Sequence, residues 1–254
     1  MPIITSSLTT TVRRIYRLIS LLLHMFIGIL LTFIFASIMN VQYNERSYSA
    51  VINWWLSRIT TIMGIQVRFG GKAQQLNVLY VANHVSWIDI PVLGRVLGTQ
   101  FIAKKELRRA PAIGWLAEHA GTLFLLRGQS GAAYNLVKQI ANRLQNKQSL
   151  LFFPEGTRGH GRRMRRFFPR LFSCAISTKT PIQPVAINYN ISDARCGTAI
   201  SRGDRQGAAV NLWGLLGVPS IEVQVHLLPL VNPVGMTRNQ LASTCERLIR
   251  EKVE

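Results

Sequence analysis

With 254 residues, the chain has room for one α/β domain of ordinary size plus an appendage, and for a real core. Its charged share of 16% lies below the roughly 25% of a typical soluble protein, which argues against a freely soluble chain and for a membrane-associated one. Lys and Arg total 30 against 11 Asp and Glu, and the resulting +19 suits polyanionic partners, either nucleic acid or the anionic face of a bilayer.

Residues 1–12 are polar and rich in Thr and Ser, and are expected to fray. Arg13, Arg14 and Arg17 follow. Leu18 to Met39 is then an apolar run whose only ionisable residue is His24. As a helix it reaches about 33 Å, the thickness of a bilayer core. It is too long for the apolar part of a signal peptide, and no A-x-A cleavage pattern follows it. A retained membrane segment is expected, with a buried core helix as the alternative. From Tyr48 to Met63 the apolar positions Tyr48, Val51, Ile52, Trp55, Ile59 and Ile62 recur at helical spacing, so a second, amphipathic helix is predicted. Trp54 and Trp55 favour a membrane interface, although packing on a soluble core gives the same pattern. The two segments predict a hairpin that spans the membrane or dips into it.

From Ile65 onward, strands alternate with helices. Strands are predicted at 65–69, 78–82, 100–103, 122–126, 150–153, 182–189 and 221–228, and helices at 88–97, 110–119, 132–146 and 168–179. Thr237 and Gln240 have capping-box spacing and open a C-terminal helix. The expected fold class is α/β: a mixed, largely parallel sheet flanked by helices, with an N-terminal membrane-anchoring helical hairpin. The chain then divides into a membrane-associated helical segment, residues 1–64, and an α/β domain, residues 65–254. The cysteines, Cys174, Cys196 and Cys245, are odd in number and contain no CxxC pair, so neither a disulfide framework nor a zinc site is suggested. Cys174 reads as a small core residue.

Four stretches carry chemistry. In "VLYVANHVSWIDI" a β-branched strand ends at Ala82, and Asp89 follows His84 by five residues. A regular helix would leave the two on different faces, but a strand-to-helix corner folds them together. Histidine is the natural general base near neutral pH, and a carboxylate on its other ring nitrogen fixes the tautomer and steadies the imidazolium. With no protein nucleophile beside them, the substrate's own hydroxyl would attack. The plainer alternatives are a strand-end histidine and an Asp89–Ser86 helix cap. No HExxH or second histidine suggests a metal. In "LLFFPEGTRGHGRRMRRF" a buried strand runs into Pro154 to Arg158. Gly156 permits a tight turn whose N–H groups form an anion nest, and Arg158 offers a planar fork for phosphate. Glu155 holds that arginine or the turn. In "GTLFLLRG" Arg127 emerges where a buried strand ends, the place where an α/β sheet carries its ligands. In "TPIQPVAINYN" two prolines bracket an apolar strand that shapes a wall and brings no reactive group.

In order and spacing, these stretches resemble the motifs of the bacterial 1-acylglycerol-3-phosphate acyltransferase family. Asn83, His84 and Asp89 match its NHxxxxD block; Gly121, Phe124 and Arg127 match its second block. Phe153 to Arg158 match FPEGTR, Pro181 to Ile187 the proline-rich strand, and "FIAKKEL" the segment that carries the lysine, here Lys104. The resemblance covers about Leu76 to Tyr189, and an N-terminal membrane hairpin is also a family feature.

The resemblance implies that His84 deprotonates a free lysolipid hydroxyl while Asp89 orients and charges the imidazole. Arg127, Glu155, Gly156, Thr157 and Arg158 would hold the acceptor's phosphate, and Lys104 or nearby amides the oxyanion. The donor would be acyl-CoA or acyl-carrier protein, with no metal or organic cofactor needed. The expected acceptor is 1-acylglycerol-3-phosphate, giving phosphatidic acid; the alternatives are a lyso-aminolipid and glycerol-3-phosphate. Two departures favour another lysolipid: Gly159 stands where many members have Ser, and "RRFFPRL" replaces a Phe-Lys-x-Gly run. The segment Arg158 to Arg170, with six arginines, suits anionic headgroups or an acidic carrier protein, or is a solvated loop. A nucleic-acid partner would need a recognisable fold or an aromatic–basic stacking surface, and neither appears. Arg13, Arg14 and Arg17 suggest a cytoplasmic N-terminus. A single span would then carry the catalytic domain away from cytosolic thioesters, so a re-entrant or two-helix anchor is expected, in the inner membrane with the domain facing the cytoplasm.

Overall fold

A computed structural model describes residues 2–72, 77–125, 132–156, 164–190 and 207–254. Seven strands form one sheet: β1 (Ile65–Gly70), β2 (Leu79–Ala82), β3 (Gln100–Lys104), β4 (Leu123–Leu125), β5 (Leu150–Phe152), β6 (Ile182–Asn190) and β7 (Ile221–Leu227). All seven lie where the apolar runs predict them. Their order across the sheet is β1-β7-β6-β2-β5-β3-β4. The five from β6 to β4 are parallel to their neighbours. β7 is antiparallel to β6 and parallel to β1. The central strand β2 is wholly buried, as continuous Leu-Tyr-Val-Ala demands of a parallel strand covered on both faces.

The two faces carry separate apolar cores. One gathers Val78, Tyr80, Ala82, Ile88 and Tyr189 with helices α2 (Arg46–Ile62) and α3 (Asp89–Leu97). The other gathers Leu79, Val81 and Phe152 with α6 (Ala132–Gln145), α7 (Ser173–Thr178) and the C-terminal α9 (Arg238–Val253). The predicted capping box opens α9: Thr237 Oγ1 accepts the Gln240 N–H at 3.3 Å and Gln240 Oε1 accepts the Thr237 N–H at 2.8 Å. Cys174 and Cys245 are free thiols in this second core, each pushed up to about 12 by burial; Cys196 lies outside the described residues. Two elements were not anticipated: the short α4 (Lys105–Arg108) directly after β3 and the apolar α8 (Gly207–Gly217) before β7; the predicted helix at 168–179 opens with a 3₁₀ turn, Pro169–Phe172, before α7. The predicted helix at 110–119 is confined to α5 (Ile113–His119).

The N-terminal helix α1 runs Pro2–Thr32 and continues as a π-helical turn, Phe33–Ile38. The polar stretch at the N-terminus is thus helical from Pro2. Proline is preorganised for the first helical turn, and propagating an existing helix across Thr and Ser costs little. The span Leu8–Ile38 is long and apolar enough to cross a membrane, and only 17% of its most apolar window is buried, unlike the core helix of a soluble protein.

This helix is inside-out relative to a helix of a soluble protein. Its buried side is polar or small: Arg17, His24, Gly28 and Thr32. Its exposed side carries Leu8, Val12, Ile15, Ile19, Leu22, Leu23, Phe26 and Leu30. Arg17 donates to the carbonyls of Leu216 at 3.2 Å, Val218 at 2.5 Å and Pro219 at 2.9 Å, and Arg13 to that of Gly217 at 2.9 Å. Leu216 and Gly217 end α8, where carbonyls lack a helical partner, and Val218 and Pro219 follow in the link to β7. Further along, α2 turns back against α1. His24 Nε2 donates to the Trp55 carbonyl and Trp55 Nε1 to the His24 carbonyl, both at 2.9 Å. Gly28 permits this approach, since a Cβ there would stand 2.3 Å from Trp55 Nε1. The predicted hairpin is therefore present: the His24–Trp55 pair ties its two helices together, and Arg13 and Arg17 bond it to the α/β domain.

Candidate functional site

At the end of β2, the Asn83 side chain takes over the pairing of the backbone. Its Nδ2 donates to the Ile187 carbonyl at 2.9 Å and its Oδ1 accepts the Ile187 N–H at 2.8 Å. With the ladder to β6 completed by a side chain, the main chain is free to turn. It does so over Val85 to Ile88, and α3 begins at Asp89.

The Asp89 side chain folds back over that turn. Its Oδ2 accepts from His84 Nδ1 at 2.8 Å, from the Val85 N–H at 2.8 Å and from the Ser86 N–H at 3.0 Å. Its Oδ1 accepts from the Tyr189 hydroxyl. Asp89 has no exposed surface. Four donors around one carboxyl make the shell of an anion. A capping Asp precedes its helix and binds N–H groups inside it. Asp89 instead is the first residue of α3 and binds N–H groups upstream of it, so the geometry is that of a histidine partner rather than a cap. The His84 ring stacks on Phe153, centroids 4.1 Å apart and 20° from parallel. Its side chain keeps 17% of its surface exposed. Since Nδ1 faces Asp89, Nε2 is left for chemistry, and among the described residues nothing bonds to it.

Glu155 lies directly beneath, in the turn after β5. It is 2% exposed, and each carboxylate oxygen accepts one backbone N–H at 2.8 Å: Oε1 that of His84 and Oε2 that of Arg165. Burial raises its pKa above the usual carboxylate value; the two N–H groups oppose that rise. Gly156 adopts φ +67, the left-handed conformation that the tight turn requires.

Parallel strands bring their C-terminal ends to one edge. His84 after β2, Glu155 and Gly156 after β5, and Lys104 at the end of β3 therefore share it. Lys104 is exposed, and β5 separates β3 from β2, so it rises roughly 10 Å along the edge from His84's strand. Gly121 (φ +77) and Phe124 flank and occupy β4, the next strand. Arg127, Thr157 and Arg158 lie outside the described residues.

Sequence reasoning missed Tyr189, Phe153 as a stacking partner, and the reach of Glu155 beyond its own turn to the His84 backbone. The proline-flanked strand, read as a plain wall, does carry a polar group to the site. A signal for it was present: Asn188, Tyr189 and Asn190 alternate, and only the tyrosine is buried. An inward Tyr hydroxyl needs a partner.

A sequence model of the acyltransferase family matches residues 64–188. A lyso-ornithine lipid O-acyltransferase of Pseudomonas aeruginosa is 38% identical over 197 residues, which cover 78% of this chain and 76% of that protein. A 1-acyl-sn-glycerol-3-phosphate acyltransferase of Neisseria gonorrhoeae is 29% identical over 166 residues, 65% of each chain. The crystal structure of the 1-acyl-sn-glycerophosphate acyltransferase of Thermotoga maritima shares the fold, with a TM-score of 0.70 at 22% identity over 98% of this chain and 96% of that one.

Proposed function

The chain belongs to the acyltransferase family, and from that premise we propose that His84 and Asp89 transfer a fatty acyl group from a thioester to the hydroxyl of a lysolipid. The observation that carries this reading is the 2.8 Å bond between His84 Nδ1 and a carboxylate with no exposed surface. Asp89 keeps the proton on Nδ1, so the lone pair lies on Nε2. Nε2 removes the acceptor's hydroxyl proton as its oxygen attacks the thioester carbonyl. The C–S bond of the tetrahedral intermediate then breaks, and the departing thiolate takes the proton back from the imidazolium. Asp89 stabilises that imidazolium throughout.

The headgroup falls to Arg127, Gly156, Thr157 and Arg158, and the oxyanion to Lys104 or nearby amides; of these, Gly156 and Lys104 follow or end strands along the edge that carries His84. Glu155 serves them from below by fixing the turn. The donor is acyl-CoA or acyl-carrier protein, and the cationic segment 158–170 suits the negative charge of either.

The acceptor placed first is a lyso-aminolipid of the ornithine kind. It is supported by the higher identity to the Pseudomonas enzyme and by the "RRFFPRL" departure from the Phe-Lys-x-Gly run. The second acceptor is 1-acylglycerol-3-phosphate, giving phosphatidic acid, supported by the intact FPEGTR block. The enzyme works at the inner membrane with its catalytic domain facing the cytoplasm, where thioester donors are made. The bonds from Arg13 and Arg17 to residues 216–219 support a hairpin that dips into one leaflet rather than a span that parts α1 from the domain. Residues 1–64 then form the membrane segment and 65–254 the catalytic domain. The test is an acceptor panel: full-length protein, one labelled acyl thioester, and vesicles containing lyso-ornithine lipid, 1-acylglycerol-3-phosphate or neither, with glycerol-3-phosphate in solution. Esterification of lyso-ornithine lipid in preference to the others is expected. Preference for 1-acylglycerol-3-phosphate establishes the second reading instead, and labelling of glycerol-3-phosphate alone defeats both.

A further inference from the structure

We infer that Tyr189 is a positioning residue for this reaction: its hydroxyl holds Oδ1 of Asp89, so that Oδ2 stays aimed at His84. The inference rests on the reading of His84 and Asp89 as the general-base pair.

Three donors converge on Oδ2, all from the turn that Asp89 itself follows: His84, Val85 and Ser86. Oδ1 has one donor among the described residues, the Tyr189 hydroxyl. That donor arrives from β6, a hundred residues away and on the strand next to β2. The carboxyl is therefore held at both ends by different elements. The turn fixes one oxygen, the sheet fixes the other, and rotation about the Cβ–Cγ bond would break bonds at both. Both side chains are buried, so water does not replace the phenol if it is removed. Burial and the neighbouring Asp89 charge raise the Tyr189 pKa well above its ordinary value, so the hydroxyl remains a donor throughout the working range.

The surrounding charges are few. Glu155 acts on both His84 and Asp89 from the turn after β5. On α2, Arg58 is exposed; on α3, Arg95 is turned to Thr60 Oγ1 at 3.1 Å. Among the described residues, Tyr189 is thus the one neutral donor from outside the turn that tunes the pair. A carboxylate that loses a donor holds a nearby proton more tightly. Without the phenol, Oδ1 lacks its donor, and the acid limb of the activity profile is expected at higher pH. A residue that merely fills the core has no such effect.

The experiment compares full-length wild type, Tyr189→Phe, Asp89→Asn and His84→Ala in one detergent–lipid system. Thermal unfolding, kcat and KM for acceptor and donor, and kcat/KM against pH are measured for each. Tyr189→Phe keeps the ring in its core site. It is expected to unfold near wild type, with kcat lowered roughly 10- to 100-fold, as for loss of a charge-assisted hydrogen bond. Its acceptor KM should stay within about twofold, and the acid limb of its pH profile should move to higher pH. Placing 3-fluorotyrosine at position 189 gives a stronger donor of nearly the same shape, and should move that limb to lower pH. If Asp89→Asn is impaired while Tyr189→Phe keeps wild-type turnover and an unmoved limb, the tyrosine is only a core residue and the inference is overturned. If Tyr189→Phe does not fold, an unmoved limb in the fluorinated protein overturns it equally. If folded His84→Ala and Asp89→Asn both keep wild-type turnover, the general-base reading has failed, and that outcome is separate from the first.

Discussion

Glu155 and His84 are joined through the main chain: Oε1 of the buried glutamate accepts the histidine's N–H at 2.8 Å, while Oε2 accepts the Arg165 N–H at the same distance. A Gln at this position has one acceptor oxygen for two N–H donors and turns an NH₂ towards the other. Glu155→Gln should therefore cost about 1–3 kcal/mol of stability. Since Glu155 is raised in the folded protein, first by burial, its contribution to stability is fully present below the unfolded carboxylate value and is lost as pH rises through the folded one. Thermal unfolding between about pH 4 and 7 should show that slope in wild type, and a flatter, lower curve in the variant. Turnover should fall with the loosened His84 by a larger factor than any rise in acceptor KM. A rise in acceptor KM alone would return Glu155 to the headgroup.

Asp89→Asn is expected to fold. The amide oxygen can take the three-donor position, and its NH₂ can donate to the Tyr189 oxygen, which is able to accept. What is lost is the charge beside His84. In hydrolase triads the corresponding change costs about 10⁴ in turnover, and a drop of roughly 10²–10⁴ is expected here. The double variant with His84→Ala should be little worse than His84→Ala alone, because the pair acts as one unit. Turnover above about half of wild type in a normally folded Asp89→Asn protein would reduce Asp89 to a brace for the turn.

Arg158→Ala should act on the acceptor rather than on chemistry. Removing a charge-assisted, forked contact costs roughly 1.5–3 kcal/mol, seen as a raised KM for the acceptor with kcat nearly kept. Lysine should rescue it only in part, because an ammonium is a point charge. Unchanged acceptor kinetics would remove Arg158 from the headgroup site.

The two faces of α1 should respond oppositely to substitution. Leu23 and Phe26 are 59% and 63% exposed, so Ser at both should leave thermal unfolding near wild type yet weaken membrane binding by about 1.5–3 kcal/mol per side chain. Arg17→Met removes donors from three carbonyls at and just beyond the end of α8, and should instead lower stability by about 2–4 kcal/mol. Vesicle flotation and thermal unfolding separate the two effects. Release of wild type from membranes by concentrated salt alone would show that charge, and not the apolar stripe, holds it there.

The strands were legible because each is a short apolar run bounded by turn residues, a signal that burial on both faces of a parallel sheet strengthens. The meeting of His84 and Asp89 was legible because the spacing of five residues fits a corner and no regular helix. What stayed hidden depends on long-range register. Tyr189 meets Asp89 only because β6 lies beside β2, a pairing that no local pattern announces. Glu155 reads locally as a partner for Arg158 or for its own turn, yet β5 lies on the other side of β2 and delivers its carboxylate to the His84 backbone as well. The polar inner side of α1 was likewise out of reach, since periodicity reports that a helix has two faces and not which of them meets protein.

β7 runs against β6 and carries β1 with it. Because of that reversal, β1 starts at the edge where β2, β5 and β6 finish: Ile65 is level with Ile221, and Glu222 is level with Asn190, the last residue of β6. α2 enters the sheet there, and so does α8, at and just beyond whose end the carbonyls of Leu216, Val218 and Pro219 grip Arg17. With β1 aligned parallel to β2, the root of the hairpin would fall at the opposite edge, a full strand length from His84. On the proposed reading of the hairpin, a lysolipid keeps its hydrocarbon in the leaflet while its hydroxyl arrives sideways, with no desorption step. Turnover should then follow the acceptor's surface density rather than its bulk concentration, so that diluting the vesicles with inert lipid slows the enzyme even when the total amount of acceptor is held constant.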